Sequence, residues 1–297
     1  MKLSLDKIVL MIKYPKGRIN IDEIIASLHL DKEARFSGDF KFYTLNYSYK
    51  QKAFISFLPK VVDDEFPEDS IRLEFNPNNF DISELGWFLS KLPKKEHVNY
   101  NRVDFAVDIQ KTLLPQFFYD KNKRNTHYYY VGGDCETAYI GSQLSDIQYR
   151  IYDKRKEVLK EEGLYLEKQE TLEKDFFEYF QDVKGIDIRK PLFRVEVQLR
   201  KKILNKIEKN FWAGLCYYEA PDFSPESTLK PKYKWFLAYC QIYGSMPALK
   251  DIDSHYRAPY QNLFKVVMYD DFYQDSVSQF RAYDLKIKHL IGNDIYE

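Results

Sequence analysis

Hydrophobic and polar residues alternate strictly in three segments of the chain. They are IRLEFNP (71–77), NRVDFAVDI (101–109) and FRVEVQLR (193–200), and each reads arginine, apolar, acid, apolar. A period of two is the signature of a β-strand with two unlike faces. One face takes Leu73 and Phe75, then Val103, Phe105 and Val107, then Val195, Val197 and Leu199. The other takes Arg72 and Glu74, Arg102 and Asp104, Arg194 and Glu196. An antiparallel sheet packed on one face and polar on the other gives this pattern, whereas a buried parallel sheet does not. The opening KIVLMIKY is expected as a first strand and FYTLNYSYKQKAFISFLPK (42–60) as a hairpin. Gly132-Gly133, between two β-rich runs, predicts a second hairpin. Asp81 or Ser83 is positioned to cap a short helix carrying Leu85, Phe88, Leu89 and Leu92. From about Ile147 the pattern predicts a long charged helix reaching Phe180 with a break at Gly163; 184–191 is expected as a loop into the third acidic strand. Beyond it, KKILNKIEKNFWAGL reads as a helix, EAPDFSPESTLKPKYK as a linker and YKWFLAYCQIYG as a further helix. The fold class expected is α+β, an antiparallel sheet with one helix-covered face and one polar face, over residues 1–205, followed by a helical region over 206–297.

Composition narrows the function. The 297 residues carry 45 basic and 45 acidic side chains, and a net charge of zero by itself argues against a nucleic-acid binder. The distribution is uneven, and residues 61–110 hold eleven acids against five bases. The apolar start is broken by Lys13 and lacks a small-residue cleavage site, so no signal peptide is expected; no run is long enough to span a bilayer. Cys135, Cys216 and Cys240 are scattered, which suggests a reducing, cytoplasmic location. The five histidines are isolated from one another, and no Gly-rich phosphate loop occurs, so a zinc hydrolase or an NTPase is unsupported. Twenty-five tyrosines and 22 phenylalanines supply a core, or platforms for unpaired bases.

Glu74, Asp104 and Glu196, on neighbouring strands, are placed to converge on one hard cation, Mg²⁺ or Mn²⁺. Cross-strand salt bridges on a wet sheet face are the simpler alternative. Asp108, four residues beyond Asp104, is about 13 Å further along the strand and ranks as a supporting residue. Tyr152 lies among Arg150, Lys154, Arg155 and Lys156. A free phenol titrates near about 10 and is a weak nucleophile, so a polarised phosphate and nearby cations are needed to favour the phenolate. Arg150 and Lys154 share the face of Tyr152 only if the segment is extended, whereas Tyr149 shares it if the segment is helical. A half-buried ring on an amphipathic helix is the structural alternative.

IRLEFNPNNF, NRVDFAVDI, TAYIGSQLSDIQYRIYDKRKE and LFRVEVQLRKK follow one another in this order. Together they resemble the Rep_trans family of rolling-circle replication initiators of small plasmids, related to conjugative relaxases and filamentous-phage initiators. The resemblance covers roughly residues 40–205. It implies an HUH-nuclease-like Rep fold in which carboxylates replace histidine. It also implies nicking of single-stranded origin DNA by Tyr152, with a 5′-phosphotyrosine intermediate and a 3′-hydroxyl primer. Arg150 and Lys154 assist, and Glu74, Asp104 and Glu196 hold Mg²⁺ or Mn²⁺. Arg72, Arg102, Arg194, Gln143, Ser145 and Arg155 are the expected DNA contacts. The expected partners are origin DNA, a second copy in a homodimer and a host helicase, with no membrane. Two positions depart from the family pattern: Gln143 stands where an arginine is frequent, and Gln198 where an acid is. A conjugative relaxase and an inactive origin-binding protein remain as alternatives. The basic stretches KKILNKIEK and LKPKYKW are candidate phosphate contacts.

Overall fold

The computed structural model describes residues 1–32, 41–62, 68–93, 97–122, 124–161, 181, 187, 189–200, 204 and 209–291. The chain divides into two compact units that interleave in sequence. An amino-terminal unit takes Ser4–Phe105, Gln198–Ile207 and Gln274–Glu297, and a central unit takes Met1–Leu3, Ala106–Val197 and Glu208–Tyr273. The boundary expected near residue 205 is therefore replaced by several crossings, because neither unit closes its core with one continuous stretch of chain.

In the amino-terminal unit the strands are β1 (Lys2–Lys13), β2 (Asp31–Lys32), β3 (Tyr43–Tyr49), β4 (Ala53–Pro59), β5 (Ser70–Phe75) and β6 (His97–Ile109), which continues beyond Phe105 into the central unit. Their order is β2-β3-β4-β5-β1-β6. The β3–β4 hairpin forms as expected, closed by Lys50 and Gln51 at positive φ. One face carries Ile8, Leu10, Ile55, Phe57, Leu73 and Phe75, all buried. Two helices of this unit, α1 (Ile21–Leu28) and α2 (Ile82–Lys91), bury Ile24, Leu28, Leu85, Phe88 and Leu89. Asp81 is the α2 cap, and its side chain accepts the Ser83 amide at 2.7 Å. Phe75 meets Phe80 across 5.6 Å, which ties the sheet to the start of α2.

The second face differs from expectation. All six residues of β5 are buried, so Arg72 and Glu74 do not face water. The alternation is real, but the polar side is covered as well; charges there must pair with one another, because an isolated buried charge is costly. The strand order brings a further correction, since β1 lies between β5 and β6 and puts two strand spacings between the strands of Glu74 and Asp104.

The central unit joins the end of β6 to β11 (Phe193–Arg200, up to Val197), β10 (Ile147–Asp153), β9 (Asp134–Ile140) and β8 (Thr126–Val131), in that order. Gly132 and Gly133 turn β8 into β9 at φ 61° and 94°, values glycine adopts without strain. A second, three-stranded sheet is built from β7 (Phe118–Asp120), β12 (Leu215–Glu219) and β13 (Lys265–Met268). The region after 205 is thus not wholly helical. The helix expected at YKWFLAYCQIYG is present as α4 (Pro231–Tyr243), following α3 (Lys154–Glu161). Helices α5 (Ser245–Asp251), α6 (Ala258–Gln261) and α7 (Phe272–Ile291) complete the described chain. The expected helix from Ile147 to Phe180 starts only at Lys154, and 162–180 lies outside the described residues. Most of KKILNKIEK (201–209) lies outside them too. Among the described residues no helix is long and apolar enough to cross a bilayer.

Candidate functional site

Strand β10 sets the geometry around Tyr152. Ile147, Tyr149 and Ile151 point to one side; Gln148, Arg150 and Tyr152 point to the other. Pairing with β9 sets Tyr152 opposite Thr137. The strand, rather than a helix, puts Arg150 beside Tyr152, with the guanidinium carbon 4.1 Å from the ring centroid. Lys154, at the start of α3, lies 6.0 Å from the same ring. Tyr149 is on the opposite face, fully buried, and its hydroxyl donates to the Phe211 carbonyl at 2.7 Å. Burial pushes its phenol pKa up. Tyr149 therefore faces away from the group around Tyr152, a correction to the shared helical face considered from sequence.

The Tyr152 hydroxyl donates to Oε1 of Glu196 at 2.7 Å. Arg150 Nε approaches Oε2 of the same carboxylate at 3.3 Å. Arg150 also reaches Glu157 Oε1 at 3.5 Å, and Lys154 pairs with the other Glu157 oxygen. Four side chains from one strand, its neighbour and the following helix thus surround one phenol. The ring is only 5 % exposed. Its pKa is raised, first by burial and then by the negative charge of Glu196, with Arg150 acting in the opposite sense. In the chain by itself, desolvation and the adjacent carboxylate outweigh Arg150. The arrangement presents a neutral phenol whose proton already points at a carboxylate.

The junction into α3 is fixed locally. Asp153 accepts the Lys156 amide at 3.1 Å, and the Arg155 amide donates to the Leu192 carbonyl at 3.1 Å. Ser145 closes the preceding loop by donating to Ser142 and Ile147 carbonyls at 2.6 and 2.8 Å. Gly141 sits in this loop at φ 94°, where an added Cβ would lie 2.8 Å from the Ile147 carbonyl. Gln143 is exposed at the tip of the loop. Arg155 lines a cleft of about 750 Å³ in the central unit, together with Lys156, Tyr130, Phe193 and Ile242.

The three expected metal ligands are all engaged with protein donors. Glu74 takes Lys7 at 2.7 Å and Arg72 at 2.5 Å. Burial works against its charge, but Arg72, Lys7 and Arg102 prevail and hold it well below the usual carboxylate range. Asp104 receives a fork from Arg102 at 2.7 and 2.5 Å. Glu196 takes Tyr152 and Arg150, as above. Among the described residues no group of three His, Cys, Asp or Glu side chains is gathered as a metal site. Each of the three carboxylates thus sits against arginine, lysine or tyrosine donors of its own surroundings. Asp108 is a supporting residue, bound in a fork by Arg194 at 2.6 and 2.8 Å. Of the arginines expected to touch DNA, Arg72 is 1 % exposed and lies inside the protein, and Arg102 and Arg194 are tied to carboxylates. Glu157 has no place in the sequence reading; its i, i+3 spacing from Lys154 is legible, but its link to Arg150 crosses a strand-to-helix junction.

A replication initiation protein of Staphylococcus aureus is 24% identical over 221 residues, spanning 73% of this chain and 62% of that relative. Another from the same organism is 32% identical over 110 residues, 36% of this chain and 35% of the relative. This chain is similar to replication initiation proteins. It spans less than two thirds of the length of these curated relatives. A solved structure of a rolling circle replication initiator protein from Geobacillus stearothermophilus is 16% identical, covering 82% of this chain and 98% of that one with a TM-score of 0.38. No family model matches.

Proposed function

We propose that this chain initiates rolling-circle replication by nicking and rejoining single-stranded origin DNA, with Tyr152 as nucleophile. The single observation that carries this is the Tyr152 hydroxyl aimed at Glu196 with Arg150 against the ring. The similarity to replication initiation proteins agrees with it. In this scheme the phenol oxygen attacks phosphorus in line. Glu196 accepts the phenol proton as the new O–P bond forms. Arg150 and Lys154 offset the negative charge that grows on the phosphoryl oxygens. The O3′–P bond breaks, the departing 3′-oxygen takes a proton from water, and the 5′ end stays on Tyr152. Rejoining reverses these steps, with Glu196 returning the proton. A homodimer, a host helicase and a Mg²⁺ or Mn²⁺ requirement belong to the same proposal, although no step here passes through the ion. Origin binding without cleavage is a second reading, favoured by the 5 % exposure of Tyr152.

The test is incubation with labelled single-stranded origin DNA, with and without Mg²⁺ or Mn²⁺, followed by a denaturing gel. A covalent protein–DNA band that disappears in Tyr152→Phe supports nicking. Binding with no band under any condition supports the second reading.

A further inference from the structure

One face of α4 has no function assigned above. Trp235 is 77 % exposed, and Tyr239, Ile242 and Tyr243 are 39, 59 and 52 % exposed. They recur at i, i+4, i+7 and i+8, so they form one stripe on a helix whose other side buries Phe236, Leu237 and Cys240. Single exposed apolar residues are ordinary, but four in a row on one stripe are not. From Lys230 to Lys250 the chain holds four lysines. Asp251 follows and accepts the Tyr239 hydroxyl at 2.8 Å, and Lys234 donates to the Pro225 carbonyl at 2.8 Å, which leaves Lys230, Lys232 and Lys250 as further cations of the segment. Lysine is depleted at protein–protein interfaces, so aromatic rings bordered by lysines suit a polyanion better than an apolar protein surface. Aromatic rings beside backbone-tracking cations are the features that hold unpaired bases.

The stripe also leads somewhere. At its far end the Tyr130 hydroxyl donates to the Ile242 carbonyl at 2.6 Å. Tyr130 and Ile242 line the 750 Å³ cleft whose wall carries Arg155 and Lys156. Those two residues lie in the first turn of α3, which follows the strand of Tyr152.

We infer that α4 is a stacking track for single-stranded DNA, with bases on Trp235 and Tyr239 and phosphates on Lys230 and Lys232, and that the strand continues through the cleft toward β10. The inference rests on the reading of this chain as a single-strand nicking protein, but it concerns binding and not the chemistry at Tyr152.

The test uses the full chain and a fluorescently labelled 20-nucleotide oligothymidylate, read by anisotropy. Trp235→Ala is expected to weaken binding about 5- to 100-fold, following the usual contribution of one base–aromatic stack. Trp235→Phe restores most of it, and the affinity for a duplex of equal length changes far less. Thermal melting confirms that the exposed substitution leaves the fold intact. Equal oligothymidylate affinity for the parent and for Trp235→Ala overturns the inference. So does failure of the parent to bind the oligonucleotide, or a parent dimer that Trp235→Ala converts to monomer, which would make the stripe a contact between copies. Failure of the nicking proposal is read separately, by the absence of any covalent band between the parent and origin DNA.

Discussion

Replacing Glu196 with glutamine separates two ways of making Tyr152 a nucleophile. In the parent, one carboxylate oxygen accepts the phenol at 2.7 Å and the other faces Arg150 Nε at 3.3 Å. Glutamine has a similar shape but one acceptor oxygen, so one of the two donors is left against its NH₂ group. The static cost is the loss of one hydrogen bond to a charged group, about 1.5–3 kcal/mol. The kinetic cost is different, because an amide does not accept the phenol proton. General-base assistance is worth about 10²- to 10⁴-fold, or roughly 2.7–5.5 kcal/mol of barrier at 1.36 kcal/mol per tenfold. The phenol itself responds in the opposite sense. Glu196 is the second cause, after burial, of its raised pKa, so Glu196→Gln lowers that pKa toward the ordinary phenol value. If a preformed phenolate were the nucleophile, the variant would cut faster at mildly alkaline pH. Base assistance requires it to cut at least about 100-fold more slowly while the phenol becomes easier to ionise. Single-turnover cleavage of labelled origin DNA, paired with ultraviolet titration of the tyrosines, measures both quantities. Cleavage by Glu196→Gln at the parental rate, or faster, refutes the assignment of Glu196 as proton acceptor.

Three further outcomes are expected. Arg72→Ala leaves Glu74 buried with Lys7 as its hydrogen-bonded cation and is expected to cost about 3–5 kcal/mol in urea unfolding at pH 7; a loss below 1 kcal/mol contradicts a structural role for the pair. The folded-state pKa of Glu74 is depressed, so its stabilisation is present above the unfolded value of about 4.3 and is lost as pH falls through the folded one. Acid unfolding is accordingly expected to move to higher pH in Arg72→Ala, where the carboxylate is less well held; an unmoved midpoint counts against this. Tyr149→Phe removes the bond to the Phe211 carbonyl and is expected to destabilise by about 1–3 kcal/mol with cleavage retained at temperatures where the variant is folded; loss of the covalent band in that variant would reassign the nucleophile.

Local rules were legible along the chain. Asp81 caps α2 because its side chain reaches the Ser83 amide, and Gly132-Gly133 turns a hairpin because both φ values are positive. The Arg-apolar-acid runs are strands, as their period of two requires. What the sequence hid is non-local. The insertion of β1 between β5 and β6 depends on a strand made sixty residues earlier than its β5 partner. The polar face reads as wet, yet Arg72 and Glu74 are buried because each neutralises the other. The charge pattern reads as helix from about Ile147, with an extended entry as the alternative, and the alternation of Ile147, Tyr149 and Ile151 is what the strand at 147–153 follows. Glu196 was singled out as a metal ligand, and its partnership with a phenol 44 positions away has no signature in spacing.

The central claim is that the hydroxyl at position 152 becomes bonded to DNA. Protease digestion of the reaction with origin oligonucleotide, followed by mass spectrometry of the peptide around Ile147–Glu157, measures this directly. A nucleotide phosphate attached to Tyr152, formed at least about 100-fold more slowly when Glu196 is glutamine, is the predicted result; cleaved origin DNA with an unmodified Tyr152 peptide, or with the phosphate on another side chain, would contradict it.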